Sequence, residues 1–492
     1  MLNDELLESL GVHDLLPPAL AAWRPLLSEG LAFFLARLPP PRLAAIVAQQ
    51  FALDAEAGSC ERLVVLLSHC PALHKFGQVV ARHRLLHPAL RRSLQTLESM
   101  PPTRPVAEVA ARIREELAGD PPVILADAAL AEGSVAVVLP FTYRHPDGLR
   151  HGVFKLLKPG VERTLTEDLA ILADLGPFLE ARSRRLGLPP LDYRDTLKSV
   201  ETLLAREIRL ELEQQNLSAA AAFYASEPRV LVPQLLPWCT PRLTAMERVF
   251  GVRVTDAALD ARQRRRLADT MISALLAQPF WSRSAEAVFH ADLHGGNLFL
   301  AEDGRLAVLD WSLTTSLAKA QREALVAVAL GGLTLDAPRI RRALAALGSL
   351  APDDRELAAA VDRALDRLVL QAKLPGFDWL LALLDDIASR TAGGFPGNLA
   401  LFRKSWLSLS GVVADLAGER SPDLPLLALA AQRFVAELPA RLVARPDSPG
   451  FSTHVSTTDV MRTCASPWLA SLRYWTRLWD YHAPGAPGEQ GQ

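Results

Sequence analysis

The sequence predicts an α+β fold in which helical segments flank a strand-rich unit, and three observations lead there. Apolar residues recur at helical spacing from Asp14 to about Leu97 and again from about Asp256 onward. Between them lie short apolar runs, Val123 to Leu125, Ser134 to Leu139 and Val153 to Leu157, of the length strands have. A further extended block, Val288 to Trp311, interrupts the second helical stretch. The predicted order is helices, then strands with one large helix, then helices around an embedded hairpin.

The early helices are short because Pro17-Pro18, Pro39-Pro40-Pro41 and Pro71 break them, and Pro101-Pro102 and Pro105 close the region. One more helix is predicted at about Val106 to Leu117. Pro146-Asp147-Gly148 then turns one strand into the next. A long helix follows from about Arg194 to Ala225, with extended runs at Arg229 to Leu236 and Arg242 to Val249. Inside the later block, Glu302-Asp303-Gly304 is the turn between two apolar runs. No repeat of solenoid period occurs.

Composition narrows the class. With 492 residues the chain exceeds one average core, so two or three packed units are expected. Its 53 Lys+Arg against 55 Asp+Glu give a net charge of -2, without the basic field that captures nucleic acid. Half of the residues are hydrophobic, yet charges interrupt every stretch before the ~20 residues a membrane-spanning helix needs. The acidic start, Met1-Leu2-Asn3-Asp4-Glu5, does not read as a secretory signal. Cys60, Cys70, Cys239 and Cys464 are scattered without a C-x-x-C pair. Cytoplasmic residence is the expectation. Lysine is scarce, confined to positions 75, 155, 158, 198, 319, 373 and 404, which makes each one informative.

The chemistry concentrates in His290-Ala291-Asp292-Leu293-His294-Gly295-Gly296-Asn297 and, two apolar runs later, Asp310-Trp311-Ser312. D-x-x-x-x-N followed by an Asp ending a strand is how phosphotransferases place one carboxylate at the acceptor hydroxyl and an Asn/Asp pair on Mg²⁺. Hard oxygen ligands suit that ion. Upstream, Lys155 sits in the run Val153-Phe154-Lys155-Leu156-Leu157, where an ammonium would meet nucleotide phosphates and pair with a helix carboxylate. Glu213 is the candidate partner, with Glu211 as rival. Strand Lys, helix Glu, catalytic Asp/Asn and metal Asp follow the chain order of the protein-kinase-like bilobal fold.

These motifs resemble the UbiB/AarF/ADCK family of atypical kinases, over about Leu67 to Ala417. Lys75-Phe76-Gly77-Gln78 matches its K-x-G-Q signature, and Gly133-Ser134-Val135 stands at its Ala-rich nucleotide loop. Lys155 to Gly160 matches its strand and Pro-Gly turn. Glu207, Glu213 and Asn216 match E-x-D-x-x-x-E-A-x-N, and Met246-Glu247 match the hinge, where backbone groups would meet adenine. His290 to Asn297 resembles H-A-D-P-H-P-G-N.

The resemblance implies ATP and Mg²⁺ as cofactors and slow ATP hydrolysis or transfer to a small lipid-like acceptor, tied to isoprenoid lipid or quinone metabolism. By it Lys155 holds the α/β-phosphates, Glu213 orients Lys155, Asp292 is the base, and Asn297 and Asp310 hold the metal. The helix carrying Lys75 and Gln78 would cover the site and discourage protein substrates. Implied boundaries are 1–105 for a helical extension carrying that helix, 106–250 for the small lobe, 251–420 for the large lobe and 421–492 for a helical tail. The sequence departs from the pattern at Arg209, where E-x-D has its Asp, leaving Glu207 as the residue to link to the K-x-G-Q helix. Ala136-Val137 replace Gly-Gln of the nucleotide loop, and Trp311-Ser312 replace Phe-Gly after the metal Asp.

Plainer readings compete. Lys155 could be a strand lysine reaching solvent, Glu213 a surface partner of Arg209, and Gly77 a helix C-cap. His290 and His294 stand at the H-x-x-x-H spacing of zinc sites, but Ala291 holds the place of the base and Gly295-Gly296 oppose a helix, so bracing the loop suits them better. In the tail, Trp468, Leu472, Trp475 and Trp479 form a helical stripe beside Arg473 and Arg477, which could lie in a membrane interface as a peripheral anchor or dock on its own domain. Two other functions remain open: a small-molecule kinase of the aminoglycoside or choline kinase type, which shares H-x-D-L-H-x-G-N, and a nucleotide-binding pseudokinase scaffold.

Overall fold

The structure, a computed structural model, describes residues 18–54, 57–81, 104–188, 193–348, 350–390 and 395–482. After a short 3₁₀ segment, helices α1 (Arg24–Leu35), α2 (Pro40–Ala52), α3 (Ser59–Ser68), α4 (Pro71–Ala81) and α5 (Val106–Glu116) lead into strands β1 (Val123–Leu125), β2 (Ala131–Glu132), β3 (Ala136–His145) and β4 (Gly148–Leu157). Helices α6 (Val161–Arg185), α7 (Tyr193–Glu207) and α8 (Leu210–Tyr224) precede β5 (Val230–Leu231), β6 (Leu243–Glu247) and β7 (Gly251–Arg253). Then come α9 (Ala261–Ile272), β8 (Glu286–His290), β9 (Leu298–Ala301), β10 (Leu306–Val308) and β11 (Thr314–Ala318). The chain closes with α10 (Lys319–Leu333), α11 (Ala337–Ala345), α12 (Arg355–Leu370), α13 (Phe377–Arg390), α14 (Gly397–Ala417), α15 (Asp423–Val443), α16 (Thr457–Cys464) and α17 (Pro467–His482).

The chain divides into two compact units. The first holds residues up to Phe223, Val232–Phe250 and the short piece Asp310–Leu313. Its sheet runs β1-β3-β4-β6, antiparallel throughout, with β2 on β3. Phe141 and Phe154 stack at 4.2 Å in its core. Gly152 makes room for that stack, because a Cβ there would fall 2.3 Å from the Phe141 ring. Gly160, at φ +70°, opens α6 in a conformation that favours glycine.

Around α6 the helices α1, α4 and α7 close a second apolar core, including Phe34, Leu66, Leu165 and Leu175. One carboxylate is buried in it: Asp168 takes Arg42 Nη2 at 2.7 Å and the Ala72 N–H, in the first turn of α4, at 3.2 Å. This contact fastens the K-x-G-Q helix to α6. Helix α4 runs through Gly77, so that glycine is not a C-cap. The predicted helix from Arg194 to Ala225 is two helices, broken at Ile208-Arg209. The sequence reading placed nothing over α6, which carries Pro177 inside it.

The second unit has a sheet ordered β5-β10-β9-β7 and a separate antiparallel pair, β8 with β11. The turn at Glu302-Asp303-Gly304 joins β9 to β10. Residues Phe451 to Thr453, His454 and Ser456 form a strap that is buried despite its polarity. The buried Glu437 carboxylate accepts from the backbone N–H and hydroxyl groups of Ser452 and Thr453 and from Arg441. His454 Nε2 lies 2.7 Å from the Phe280 carbonyl, which it meets as a donor.

Burial lowers the pKa of His454 to about 4, with Arg322 and Lys319 adding to the effect and the Phe280 carbonyl opposing it. The unfolded chain therefore binds this proton more readily than the folded one. His454 contributes stability above about pH 6.5 that is lost as pH falls toward about 4, an effect of about 3 kcal/mol. Urea unfolding of wild type and His454→Gln should show a gap between the two pH profiles that changes across this window. Parallel profiles would contradict it.

Helix α17 carries its aromatic stripe outward, so the reading in which the stripe docks on its own domain is corrected. The arginines dock instead. Arg477 pairs with Asp362 and Asp366 at 2.7 and 2.6 Å, and Arg473 Nη1 donates to the Thr334 carbonyl at 2.8 Å. These three polar contacts on one side of the helix leave Trp468, Leu472, Trp475 and Trp479 exposed on the other.

Candidate functional site

In the first unit, β4 delivers Lys155 and α8 delivers Glu213. Lys155 pairs in register with Val138 and Thr244 on the neighbouring strands, so its position along the sheet is fixed from both sides. Its Nζ donates to Glu213 Oε1 at 2.7 Å and Oε2 at 2.8 Å, and to Asp310 Oδ2 at 3.3 Å. Gln214, next to Glu213, donates to the Thr240 carbonyl and the Thr244 hydroxyl and pins α8 to the hairpin ending in β6. The rival Glu211 is exposed.

Asp310 has φ +54°, a left-handed conformation uncommon for a residue with a side chain. Two contacts hold it there. The Ser312 N–H donates to Asp310 Oδ1 at 3.2 Å, and Asn216 Nδ2 donates to the Trp311 carbonyl at 3.0 Å. Trp311 itself is buried. Serine at 312 is therefore compatible with the turn, since the contact uses its backbone N–H.

The electrostatics follow from burial and proximity. Burial pushes the Glu213 carboxyl up to about 7, against the pull of Lys155. Burial would also raise Asp310, but the Lys155 ammonium, the Ser312 contact and Lys75 hold its pKa well below the usual carboxylate range. For Lys155, burial alone would favour loss of the proton, and the Asp310 and Glu213 carboxylates override it and raise its pKa. Lys75 forms an ion pair with Glu207, so the K-x-G-Q helix is linked to α7 without an aspartate at 209. The side chain of Gln78 lies outside the described residues.

Gly133 and Ser134 form the turn between β2 and β3, with the Gly133 N–H donating to the Ala136 carbonyl at 2.8 Å. Beneath the turn, Lys158 pairs with Glu132 at 2.8 Å and donates its backbone N–H to the Val135 carbonyl. Met246 and Glu247 end β6, where the Glu247 N–H is committed to the Gln234 carbonyl at 2.9 Å.

In the second unit, the loop from β8 to β9 brings Asp292 and Asn297 together. Asn297 Nδ2 donates to the Asp292 carbonyl at 3.1 Å, so the amide nitrogen is committed to the loop's own backbone. His290 Nδ1 accepts the Asp292 N–H, and its Nε2 donates to the Leu309 carbonyl. That pattern requires the neutral ring and braces the loop. His294 Nδ1 accepts the Gly296 N–H, and its Nε2 stands 3.9 Å from Asp292. Sequence reasoning missed Lys404, on α14, whose Nζ lies 3.4 Å from Asp292 Oδ1. The scarcity of lysine was the one signal pointing to it.

Among the described residues no group of three or more His, Cys, Asp and Glu side chains is placed to hold a metal. Asp310 of the first unit offers a carboxylate and Asn297 of the second an amide oxygen, each a hard oxygen donor of the kind Mg²⁺ takes.

A strand lysine bridging a helix glutamate and an aspartate, with a separate D-x-x-x-x-N loop, defines a kinase-like protein. The family model of the ABC1 atypical kinase-like domain matches residues 98–344. The chain belongs to this family, the UbiB/AarF/ADCK atypical kinases, and has their α+β kinase-like fold. It is 28% identical over 372 residues to a probable protein kinase UbiB of Azotobacter vinelandii, covering 71% of this chain and 66% of that one. A probable protein kinase UbiB of Pseudomonas paraeruginosa is 30% identical over 245 residues, 47% of this chain and 43% of the relative. An uncharacterized protein of Mycobacterium tuberculosis is 30% identical over 251 residues, 49% and 50% of the two chains. The chain thus spans from under half to about two thirds of the curated relatives it matches. Among solved structures, the Rv3197–erythromycin complex from Mycobacterium tuberculosis aligns with TM-score 0.46 and 18% identity, over 79% of this chain and 97% of that one.

Proposed function

We propose that the protein binds Mg-ATP and hydrolyses it slowly or passes the γ-phosphoryl group to a small lipid-like acceptor, in support of isoprenoid lipid or quinone metabolism. The observation that carries the nucleotide reading is the Lys155 ammonium held between Glu213 and Asp310. The acceptor class and the metabolic link rest on family resemblance. Helical extension 1–105, small lobe 106–250, large lobe 251–420 and tail 421–492 are the proposed divisions.

In this reading Lys155, oriented by Glu213, meets the α/β-phosphates, next to the turn at Gly133 and Ser134. Met246 and Glu247 lie where the adenine would meet the chain. Asn297 and Asp310 offer oxygens to Mg²⁺, which when bound neutralises phosphate charge. Asp292 takes the proton of the attacking hydroxyl or water as its oxygen bonds to phosphorus. The bond from phosphorus to the bridging oxygen breaks, and ADP leaves with the electron pair. Lys75, tied to Glu207, keeps the K-x-G-Q helix beside Asp310, which favours this reading over an aminoglycoside or choline kinase type. Thermal shift with ATP, with and without Mg²⁺, tests it beside phosphate release. A Mg²⁺-dependent shift with release is expected. A shift without release indicates a scaffold, and no shift removes the nucleotide.

The proposed setting is cytoplasmic and peripheral to a membrane. Among the described residues no helix is long and apolar enough to cross one. Two helices of the second unit are inside out. Helix α15 buries Glu437 and Arg441 while Leu442 and Val443 are each 88% exposed, and on α17 Trp479 is 79% exposed. Outward tryptophans beside inward arginines suit a bilayer interface. Trp475→Ser/Trp479→Ser, or truncation at Pro467, should abolish co-sedimentation with anionic phospholipid vesicles, and unchanged binding would reject the anchor.

A further inference from the structure

Helix α14 lies beyond the span matched by the family model, yet it is fastened to the strand pair from which the Asp292 loop springs. Asn398 Nδ2 donates to the Ser316 carbonyl at 2.8 Å, and Thr315 Oγ1 donates to the Asn398 carbonyl at 3.0 Å. One residue before the loop's Asp-containing core, the His290 carbonyl accepts from the buried Ser405 hydroxyl at 2.6 Å. These three contacts fix the helix on both strands and at the root of the loop. Lys404, the neighbour of Ser405, is thereby held with its Nζ 3.4 Å from Asp292 Oδ1.

The pair is asymmetric. Asp292 is buried, whereas the Lys404 side chain keeps 30% of its surface open. An ion pair with a partner so open adds little to the fold. The residue type carries more information. In a chain with 53 cationic side chains, only seven are lysines. A guanidinium at this place would clamp the carboxylate with its planar fork, whereas an ammonium is a compact charge with three donors that can serve a carboxylate and a second anion together. Phosphoryl transfer needs such a charge beside the base, because negative charge develops on the oxygens of the group in flight.

We infer that Lys404 touches the transferring phosphoryl group, holding Asp292 with one donor and neutralising the phosphoryl oxygens with another. This rests on the Mg-ATP reading. The proton still passes to Asp292, and Lys404 keeps its own throughout.

The test is thermal shift and titration with Mg-ADP, alone and with aluminium fluoride as the probe for a phosphoryl group in flight. Lys404→Met should leave Mg-ADP affinity within about twofold and lose on the order of a hundredfold of the tightening that fluoride gives wild type. Lys404→Arg should recover part of it. The loss should persist in an Asp292→Asn background, which separates contact with the phosphoryl group from action through the carboxylate. Phosphate release should fall in kcat, with KM for ATP unmoved. Undiminished fluoride tightening in Lys404→Met overturns the inference, as does a loss that vanishes in the Asp292→Asn background. Wild type that binds Mg-ADP without any tightening by fluoride also overturns it, leaving nucleotide binding intact. Wild type without a Mg-ADP shift overturns both.

Discussion

Lys155→Met should abolish the Mg-ATP thermal shift and destabilise the protein by about 3–5 kcal/mol, the usual penalty for stranding one member of a buried ion pair. The stranded member is Glu213, whose side chain is 2% exposed and, among the described residues, has no other cation at hydrogen-bond distance. Its carboxyl is already pushed up to about 7 by burial, with Lys155 pulling the other way. Because this folded value lies above the ordinary 4.5, ionising Glu213 in place opposes folding. The opposition is absent below about pH 4.5 and complete once pH passes the folded pKa. Without Lys155 that pKa climbs further and the window widens upward. Urea unfolding of Lys155→Met should therefore show a larger deficit at about pH 8 than at about pH 5. Lys155→Met/Glu213→Gln should recover part of the stability, since the Glu213 charge is no longer left buried while Asp310 still lacks its ammonium partner, and still give no nucleotide shift. Equal stability and an intact shift in Lys155→Met would return Lys155 to the plain role of a strand lysine.

The arrangement of the candidate site was legible in the sequence where short motifs coincide with short-range structure. Lys155 lies on a strand that its own apolar neighbours define, and Asp292 and Asn297 share one loop tied together by local hydrogen bonds. Glu213 was separable from Glu211 through its place in the helix pattern, and the exposure of Glu211 gives the physical reason. What stayed hidden depends on contacts across long separations. Lys404 reaches Asp292 from a helix more than a hundred residues away, and Arg42 reaches Asp168 across a similar distance. The break at Ile208-Arg209 carries no glycine or proline to announce it. Periodicity located the stripe on α17 but not which side of it would face out. That was decided by Asp336, Asp362 and Asp366, acids on other helices that claim the arginines.

Asp292→Asn should lower phosphate release by about 10²–10⁴-fold, the range for a lost general base, while the Mg-ATP shift survives. The substitution is clean because the loop does not hang on the carboxylate. Asn297 holds the main-chain carbonyl of residue 292, His290 holds its N–H, and Ser405 holds the carbonyl of His290. An asparagine leaves all three in place. What it removes is the anion whose oxygens stand 3.4 Å from Lys404 and 3.9 Å from His294. Those neighbours keep the carboxylate oriented, and a neutral amide of the same shape cannot accept the proton of an attacking oxygen. Unaltered release in Asp292→Asn would remove the base from the mechanism and leave charge neutralisation to account for turnover. Loss of the shift together with release would instead make the carboxylate part of nucleotide binding.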